Sequence, residues 1–336
     1  MELHQLNEQI NYSDYEVTEW LTYVDIDKDL VWHKGKYPNE SWFVVANLKS
    51  NGHKIAFQAH CLIMQVSEDN SVVSLNISVT NQTTGWYKSH EYAYPLEKVN
   101  VSDLIFDIRT DDFVLSGNSD HIIVQATFPE VNIDVALKRV EPVLMTCGSG
   151  AVPFLGVEQY DYAFPAMLTS GIIELAGTSY EVSGLSWLDR QWGGLPDFFK
   201  NPEAINSMKW LWMNLQLDNG ERISLGKVIE LNTKKLMLMA NIMHPDGSIT
   251  LAKIKPVEMF DYWTSDITGN SYPTRYIVNI PSVEAELEVI VAPRNQEIVS
   301  AIGGINKYEG AADVTGTYRG QQVTGVTYVE LVGYWK

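Results

Sequence analysis

Apolar and polar residues alternate with a period of two along most of this chain. Val73, Leu75, Ile77 and Val79 are spaced by smaller or polar residues, and Ile133, Val135 and Leu137 alternate with Asp134, Ala136 and Lys138. The sharpest case is Val283, Ala285, Leu287, Val289 and Val291 against Glu284, Glu286 and Glu288. Such spacing puts one side chain in and the next out on a pleated strand. Two strand runs flank Asn51-Gly52, and a second pair, Trp210–Leu217 and Arg222–Glu230, flanks Asp218-Asn219-Gly220, so each reads as a hairpin. Glycines recur inside the C-terminal strand patterns, at Gly310, Gly316 and Gly325, where a barrel corner closes or backbones meet. The pattern predicts an all-β fold of antiparallel barrels or sandwiches, and the similar hairpins suggest that the two halves are related.

Residues 1–40 carry little periodicity and read as a polar lead-in arm. A polar link, Leu195 to Asn206, interrupts the strands near the middle, which sets two domains, 1–200 and 201–336. Between them stands Ser186-Trp187-Leu188-Asp189-Arg190-Gln191-Trp192-Gly193-Gly194, one carboxylate and one guanidinium between two indoles. Two readings stay open. In one, a junction turn lets Asp189 and Arg190 neutralise each other. In the other, strand alternation continues, Trp187 and Asp189 share a face away from Leu188 and Arg190, and desolvation raises the Asp189 pKa into the range of a proton donor. In the strand after the link, Leu211, Met213, Leu215 and Leu217 take one face and Trp210, Trp212, Asn214 and Gln216 the other. Two indoles and two amides suit a cavity wall.

Composition narrows the function. Of 336 residues, 45% are hydrophobic and 20% charged, with a formal charge of −18. No basic stripe exists to hold phosphates, which argues against a nucleic-acid partner. No signal-like leader or apolar run of about 18 residues appears, so neither secretion nor an integral membrane segment is expected, and the expected location is cytoplasmic. The two cysteines, Cys61 and Cys147, read as buried thiols. There is no phosphate-cradling glycine loop, Gly-x-Ser-x-Gly elbow or His-Glu-x-x-His, and the seven scattered histidines form no ligand-spaced pair. Chemistry without metal or other cofactor is expected. His60 shares a strand face with Gln58, as a cavity-lining pair or as satisfied core residues.

Several motifs together resemble the AttH-like and carotenoid 1,2-hydratase (hydroxyneurosporene synthase) family. They are Gly184-Leu185-Ser186-Trp187-Leu188-Asp189-Arg190-Gln191-Trp192-Gly193, then Trp210-Leu211-Trp212 with Leu217-Asp218-Asn219-Gly220. Trp42 with the Asn51-Gly52 hairpin, Pro142-Val143-Leu144 with Tyr160-Asp161-Tyr162, Lys307-Tyr308-Glu309-Gly310 and Tyr328-Val329-Glu330 extend the likeness along nearly the whole chain. The resemblance implies two consecutive lipocalin-like β-domains with a cavity near their junction, an architecture shared with fungal Diels–Alderases. It implies a hydrophobic polyene, terpenoid or polyketide substrate and hydration, isomerisation or cyclisation. It also brings Trp42, Tyr160, Tyr162, Glu309 and Tyr328 into the candidate binding set. Three positions depart from the family pattern: Tyr160-Asp161-Tyr162-Ala163 stands where Tyr-Tyr-Ser is usual, Tyr308 where tryptophan is expected, and Arg190 where histidine is frequent.

The expected roles follow. Asp189 donates a proton, and the faces of Trp187, Trp192, Trp210 or Trp212 stabilise a developing carbocation. In a pericyclic reaction, Asn214 or Gln216 instead polarises a carbonyl of a pre-folded substrate. The rival reading is a non-catalytic carrier of an apolar ligand.

Overall fold

Period-two alternation in this chain is realised as long antiparallel strands that curl around two separate cores. The structure, a computed structural model, describes residues 24–67, 70–154, 156–194, 207–300 and 305–336. The first 23 residues of the lead-in arm and the proposed domain link at 195–206 lie outside the described residues.

The first sheet runs in the spatial order Trp86–Pro95, Asn70–Asn81, His53–Ser67, Asn39–Ser50, Thr178–Gly193, Val157–Leu175, then the meander that includes Val131–Arg139 and His121–Phe128. The second sheet is built alike: Lys235–Met243, Arg222–Glu230, Met208–Leu217, Gln321–Gly333, Lys307–Tyr318, then Ala285–Val291 and Arg275–Ile280. In each, an opening meander is closed by the last hairpin of its own half, making two lipocalin-like half-barrels. The Asn51-Gly52 turn has positive φ at both residues, as a tight two-residue hairpin requires. Where the closing strand crosses the first, both halves use a glycine. A Cβ on Gly184 would meet the Asn47 carbonyl oxygen at 2.5 Å, and one on Gly325 the Gln216 carbonyl oxygen at 2.5 Å.

Alternation sorts side chains between two environments. The concave faces hold the two large cores, one around Trp42, Phe57, Leu75 and Ile133 and the other around Met213, Leu225, Leu287 and Val329. The convex faces of the sheets pack against each other. Phe43, Val45, Trp187, Trp212, Ala311 and Tyr328 form one patch of that contact, and Val152, Phe154, Met208 and Val228 another. Gln216 fastens it, while Asn214 ties its own strand to the neighbouring one within the second sheet. Asn214 Oδ1 accepts from the Tyr328 backbone N–H at 2.7 Å, and Gln216 Nε2 donates to the Pro165 and Ser186 carbonyls at 2.9 and 3.2 Å.

The Trp187–Trp192 stretch is no turn. Strand Thr178–Gly193 runs through it, with Asp189 opposite Phe43 and Ala163. Asp189 and Arg190 therefore point to opposite faces. Arg190 is fully buried on the concave side, ion-paired with buried Glu40 through Nη2 and stacked 4.2 Å from the Trp42 ring and 4.9 Å from Trp192. It also ties down the part of the lead-in arm that is described. Its Nε donates to the Asp29 carbonyl at 2.6 Å and its Nη2 to that of Val31 at 3.2 Å. Trp42 Nε1 holds the Leu30 carbonyl at 2.8 Å, and the Tyr162 hydroxyl that of Ile26 at 3.0 Å. Residues 24–38 are thus a packed strap, with a short helix at Ile26–Asp29, and not a loose arm. Of the cysteines, Cys61 is buried as expected, whereas Cys147 is half-buried with its Sγ 3.8 Å from Met239 Sδ. Among the described residues no helix is long and apolar enough to cross a membrane.

Candidate active site

The contact between the convex faces is incomplete, and a cleft with two joined compartments remains. The inner one, about 90 Å³, is faced by Asp161, Asp189, Thr146, Trp212 and Asn241. The outer one, about 260 Å³, is faced by Leu62, Met64, Val72, Met208 and Val332. Ser41, His60, Phe154, Gln191, Trp210 and Glu330 border both. The cleft thus has an acidic floor and a wider outer compartment where apolar side chains stand beside Asn76, Glu91 and Lys307, with Trp210 and Trp212 as one wall. Phe43 meets Trp212 edge-on at 5.6 Å and Phe154 lies 5.2 Å from Trp210 between ring centroids, which fixes both indoles.

Asp161 and Asp189 come from adjacent strands. Asp161 stands opposite Gln191 and Asp189 opposite Ala163, so the carboxyls are diagonal neighbours on one face. Each is half-buried with a single donor: Trp187 Nε1 reaches Asp189 Oδ1 at 2.6 Å, and the Thr146 hydroxyl reaches Asp161 Oδ2 at 2.7 Å. Burial pushes Asp161 up to about 6, with the Thr146 bond opposing it. Asp189 is raised well above the usual carboxylate range, by burial first, then by the charge of Asp161 and, in smaller part, of Glu330, with Trp187 opposing. Burial and the charge of Asp161 thus favour the proton on Asp189 over Asp161.

A second array faces the pair from the other sheet. Glu330 stands directly across from Trp212 on one side and from Glu309 on the other. Burial raises Glu330, and burial followed by the Glu330 charge raises Glu309 well above its ordinary value. Lys307 Nζ is 3.3 Å from Glu309 Oε1 and 2.9 Å from His60 Nδ1. His60 Nε2 is 2.8 Å from the Ser41 hydroxyl. Burial, reinforced by the Lys307 charge, holds the His60 pKa well below normal, so the ring is neutral. An ammonium only donates, so Nδ1 accepts from Lys307 and Nε2–H donates to Ser41 Oγ. With its Nε2 already protonated, His60 cannot take the Ser41 hydroxyl proton, so Ser41 is not activated as a nucleophile and keeps a proton to donate.

The residues singled out in the sequence divide by sheet face. Asp189, Trp210, Trp212 and His60 line the cleft. Trp187 lies behind Asp189 as its donor, and Glu309 lies behind Glu330. Tyr328 is fully buried in the sheet-to-sheet patch, Gln216 bonds across that contact, and Asn214 is buried and bonds the adjacent strand of its own sheet, so only the tryptophan half of their face borders open space. Gln58, on the same strand face as His60, is fully buried and is not among the side chains that face the cleft. Trp42, Tyr160, Tyr162 and Trp192 belong to the concave core of the first half-barrel, where Tyr160 stacks on Trp192 at 5.3 Å. Sequence reasoning passed over Asp161, Glu330, Lys307 and Ser41. A signal existed for the first: alternation that buries Tyr160 and Tyr162 on one side must turn the aspartate between them to the other. Among the described residues no group of three or more His, Cys, Asp or Glu side chains is arranged to hold a metal ion.

Two half-barrels packed through their convex faces around a narrow acidic cleft define a lipocalin-like protein of the two-domain type. The chain belongs to the AttH-like family, which it matches over residues 23–334. It is 25% identical over 236 residues to the dehydratase asqC of Emericella nidulans, covering 65% of this chain and 63% of that one, so the match spans somewhat under two thirds of the curated relative. The fold is shared with an AttH of Nitrosomonas europaea (TM-score 0.80, 22% identity, 93% of this chain and 98% of that one). It is shared also with kievitone hydratase of Nectria haematococca (TM-score 0.77, 17% identity, 94% of each chain).

Proposed function

We propose that this protein is an enzyme that adds water to, or removes water from, a double bond in a small apolar molecule, with Asp189 as proton donor and Asp161 as the base that orients water. The observation that carries the reading is the pair of carboxyls, diagonal neighbours on one sheet face, in a cleft that Trp210 and Trp212 wall and whose outer compartment meets Leu62, Met64, Val72, Met208 and Val332. In the hydration direction, Asp189 gives its proton to one alkene carbon. The cation developing on the other carbon is stabilised by the faces of Trp210 and Trp212, water adds there, and Asp161 takes the proton that water releases. One proton has then passed from Asp189 to Asp161, and its return across the pair resets the site. Dehydration is the same path reversed. The Ser41 hydroxyl suits an acceptor oxygen near the reacting bond, and the outer compartment suits an apolar tail. The names of the asqC and kievitone relatives, a dehydratase and a hydratase, support this chemistry over cyclisation.

Activity should follow a bell-shaped pH profile, rising as Asp161 ionises near 6 and falling at higher pH as Asp189 loses its proton. Asp161→Asn lacks the base and should lower turnover, and its residual activity should lose the acid limb and show the alkaline limb moved down, because the change deletes the negative charge that helps to hold the Asp189 proton. An alkaline limb that stays in place or rises would contradict the coupling.

The reaction class is tested by incubating the protein with metabolite extracts in 18O-labelled water and following masses. The expected product differs from its precursor by one water, with label incorporated in the hydration direction. An isomeric, unlabelled product would move the reaction to cyclisation, and stoichiometric retention of an unchanged compound would make the protein a carrier.

A further inference from the structure

The strand that carries Trp210 and Trp212 on its convex face has a different anomaly on its concave face. The inward row of Met208–Leu217 reads Lys209, Leu211, Met213, Leu215, Leu217, and that of its neighbour reads Ile223, Leu225, Lys227, Ile229. Two lysines thus occupy positions that alternation assigns to the core of the second half-barrel. Lys209 pairs across the strands with Ile229 and Lys227 with Leu211, so the ammonium groups sit on one diagonal of a checkerboard and the aliphatic groups on the other. They face a cavity of about 450 Å³ that Met259 and Trp335 also line. A whole sheet separates it from the acidic cleft.

Neither lysine has a carboxylate within ion-pair distance among the described residues, although the chain carries a net charge of −18. Among the described residues, Lys209 Nζ meets the rings of Trp335 and Tyr334, at 5.0 and 5.9 Å. Burial, and then the charge of Lys209, holds the Lys227 pKa below its ordinary value. Like charges on one strand face repel. An anion between them would offset that repulsion and give both ammonium groups a counter-charge.

From the paired lysines and their apolar surroundings we infer that this cavity is a second ligand site, distinct from the cleft, which takes a monocarboxylate with an apolar body. The carboxylate bridges Lys209 and Lys227 by charge-assisted hydrogen bonds, and the body lies on Leu211, Ile229, Met259 and the Trp335 ring. Inorganic anions leave that apolar lining unfilled, and cationic amphiphiles are repelled.

Titration calorimetry of the whole protein with decanoate tests this, with decyltrimethylammonium as the charge control and benzoate as a shorter aromatic carboxylate that separates alkyl from aryl sources. Decanoate or benzoate should bind one to one, and the cationic amphiphile should not compete. Lys209→Met and Lys227→Met should each weaken carboxylate binding about tenfold or more, Lys227→Arg should keep it, and Trp210→Ala, on the other face of the sheet, should leave it unchanged. Should Lys227→Met fail to fold, Lys227→Gln serves instead. Absence of carboxylate binding at millimolar concentration, equal binding of the cation, or binding that survives both lysine replacements would overturn the inference. So would affinity lost with Trp210→Ala and kept without the lysines, since that puts the ligand in the cleft.

Discussion

Replacing Asp189 with Asn is expected to lower turnover by about 10² or more, without loss of fold. Asparagine fills the same space and can still accept the Trp187 indole N–H that reaches Asp189 Oδ1 at 2.6 Å. What it cannot do is donate an acid proton to carbon. Stability should move the opposite way to activity. The folded-state pKa of Asp189 is raised, so its contribution to stability is fully present below the unfolded pKa and is lost as pH rises through the folded value. Asp189→Asn has no such loss, so its Tm should match wild type at pH 4 and exceed it at pH 9. Thermal melts at the two pH values, beside a turnover assay, check both halves. Unchanged turnover would remove Asp189 from the chemistry, and a lower Tm at both pH values would make it a structural residue.

Arg190→Met is the change with the largest expected effect on stability. Arg190 is wholly enclosed, and removing it leaves Glu40 buried with its principal countercharge gone. Breaking one side of such a pair costs about 3–5 kcal/mol. It also releases the Asp29 and Val31 carbonyls and so frees the strap at residues 24–38 from the strand. A fall in Tm of about 6 °C or more should follow. Because most of that cost is the orphaned charge, the double variant Glu40→Leu with Arg190→Met should recover a large part of it. A single variant within about 1 kcal/mol of wild type, or a double variant that melts lower still, would show that the pair does not anchor the strap.

Much of this was legible in the chain. Strict alternation identified the strands, Asn51-Gly52 and Asn219-Gly220 marked the hairpins, and period two offered the separation of Asp189 from Arg190 as one of two readings, between which the strand pairing decided. These are local matters, since successive side chains on a pleated strand must leave by opposite faces. Motif resemblance overreached for the same reason that alternation succeeded. It brought Trp42, Tyr160 and Tyr162 into the candidate set through shared motifs, although parity turns them, with Trp192, into the core of the first half-barrel. The two lysines in otherwise apolar rows, at 209 and 227, were equally open to a parity count.

By itself, then, the sequence determined which residues share a face, where the chain turns, and that an acid lies beside indoles. Tertiary structure decided which faces are concave and which convex, and so which residues meet. Asp161 reaches Asp189 because their strands pair side by side. Lys307 reaches His60, 247 positions away in the chain, because two curled sheets dock through their convex faces. Local geometry fixes the side to which a residue points, but what stands opposite it depends on the shapes of whole sheets, and the pKa of a buried carboxyl depends on what stands opposite.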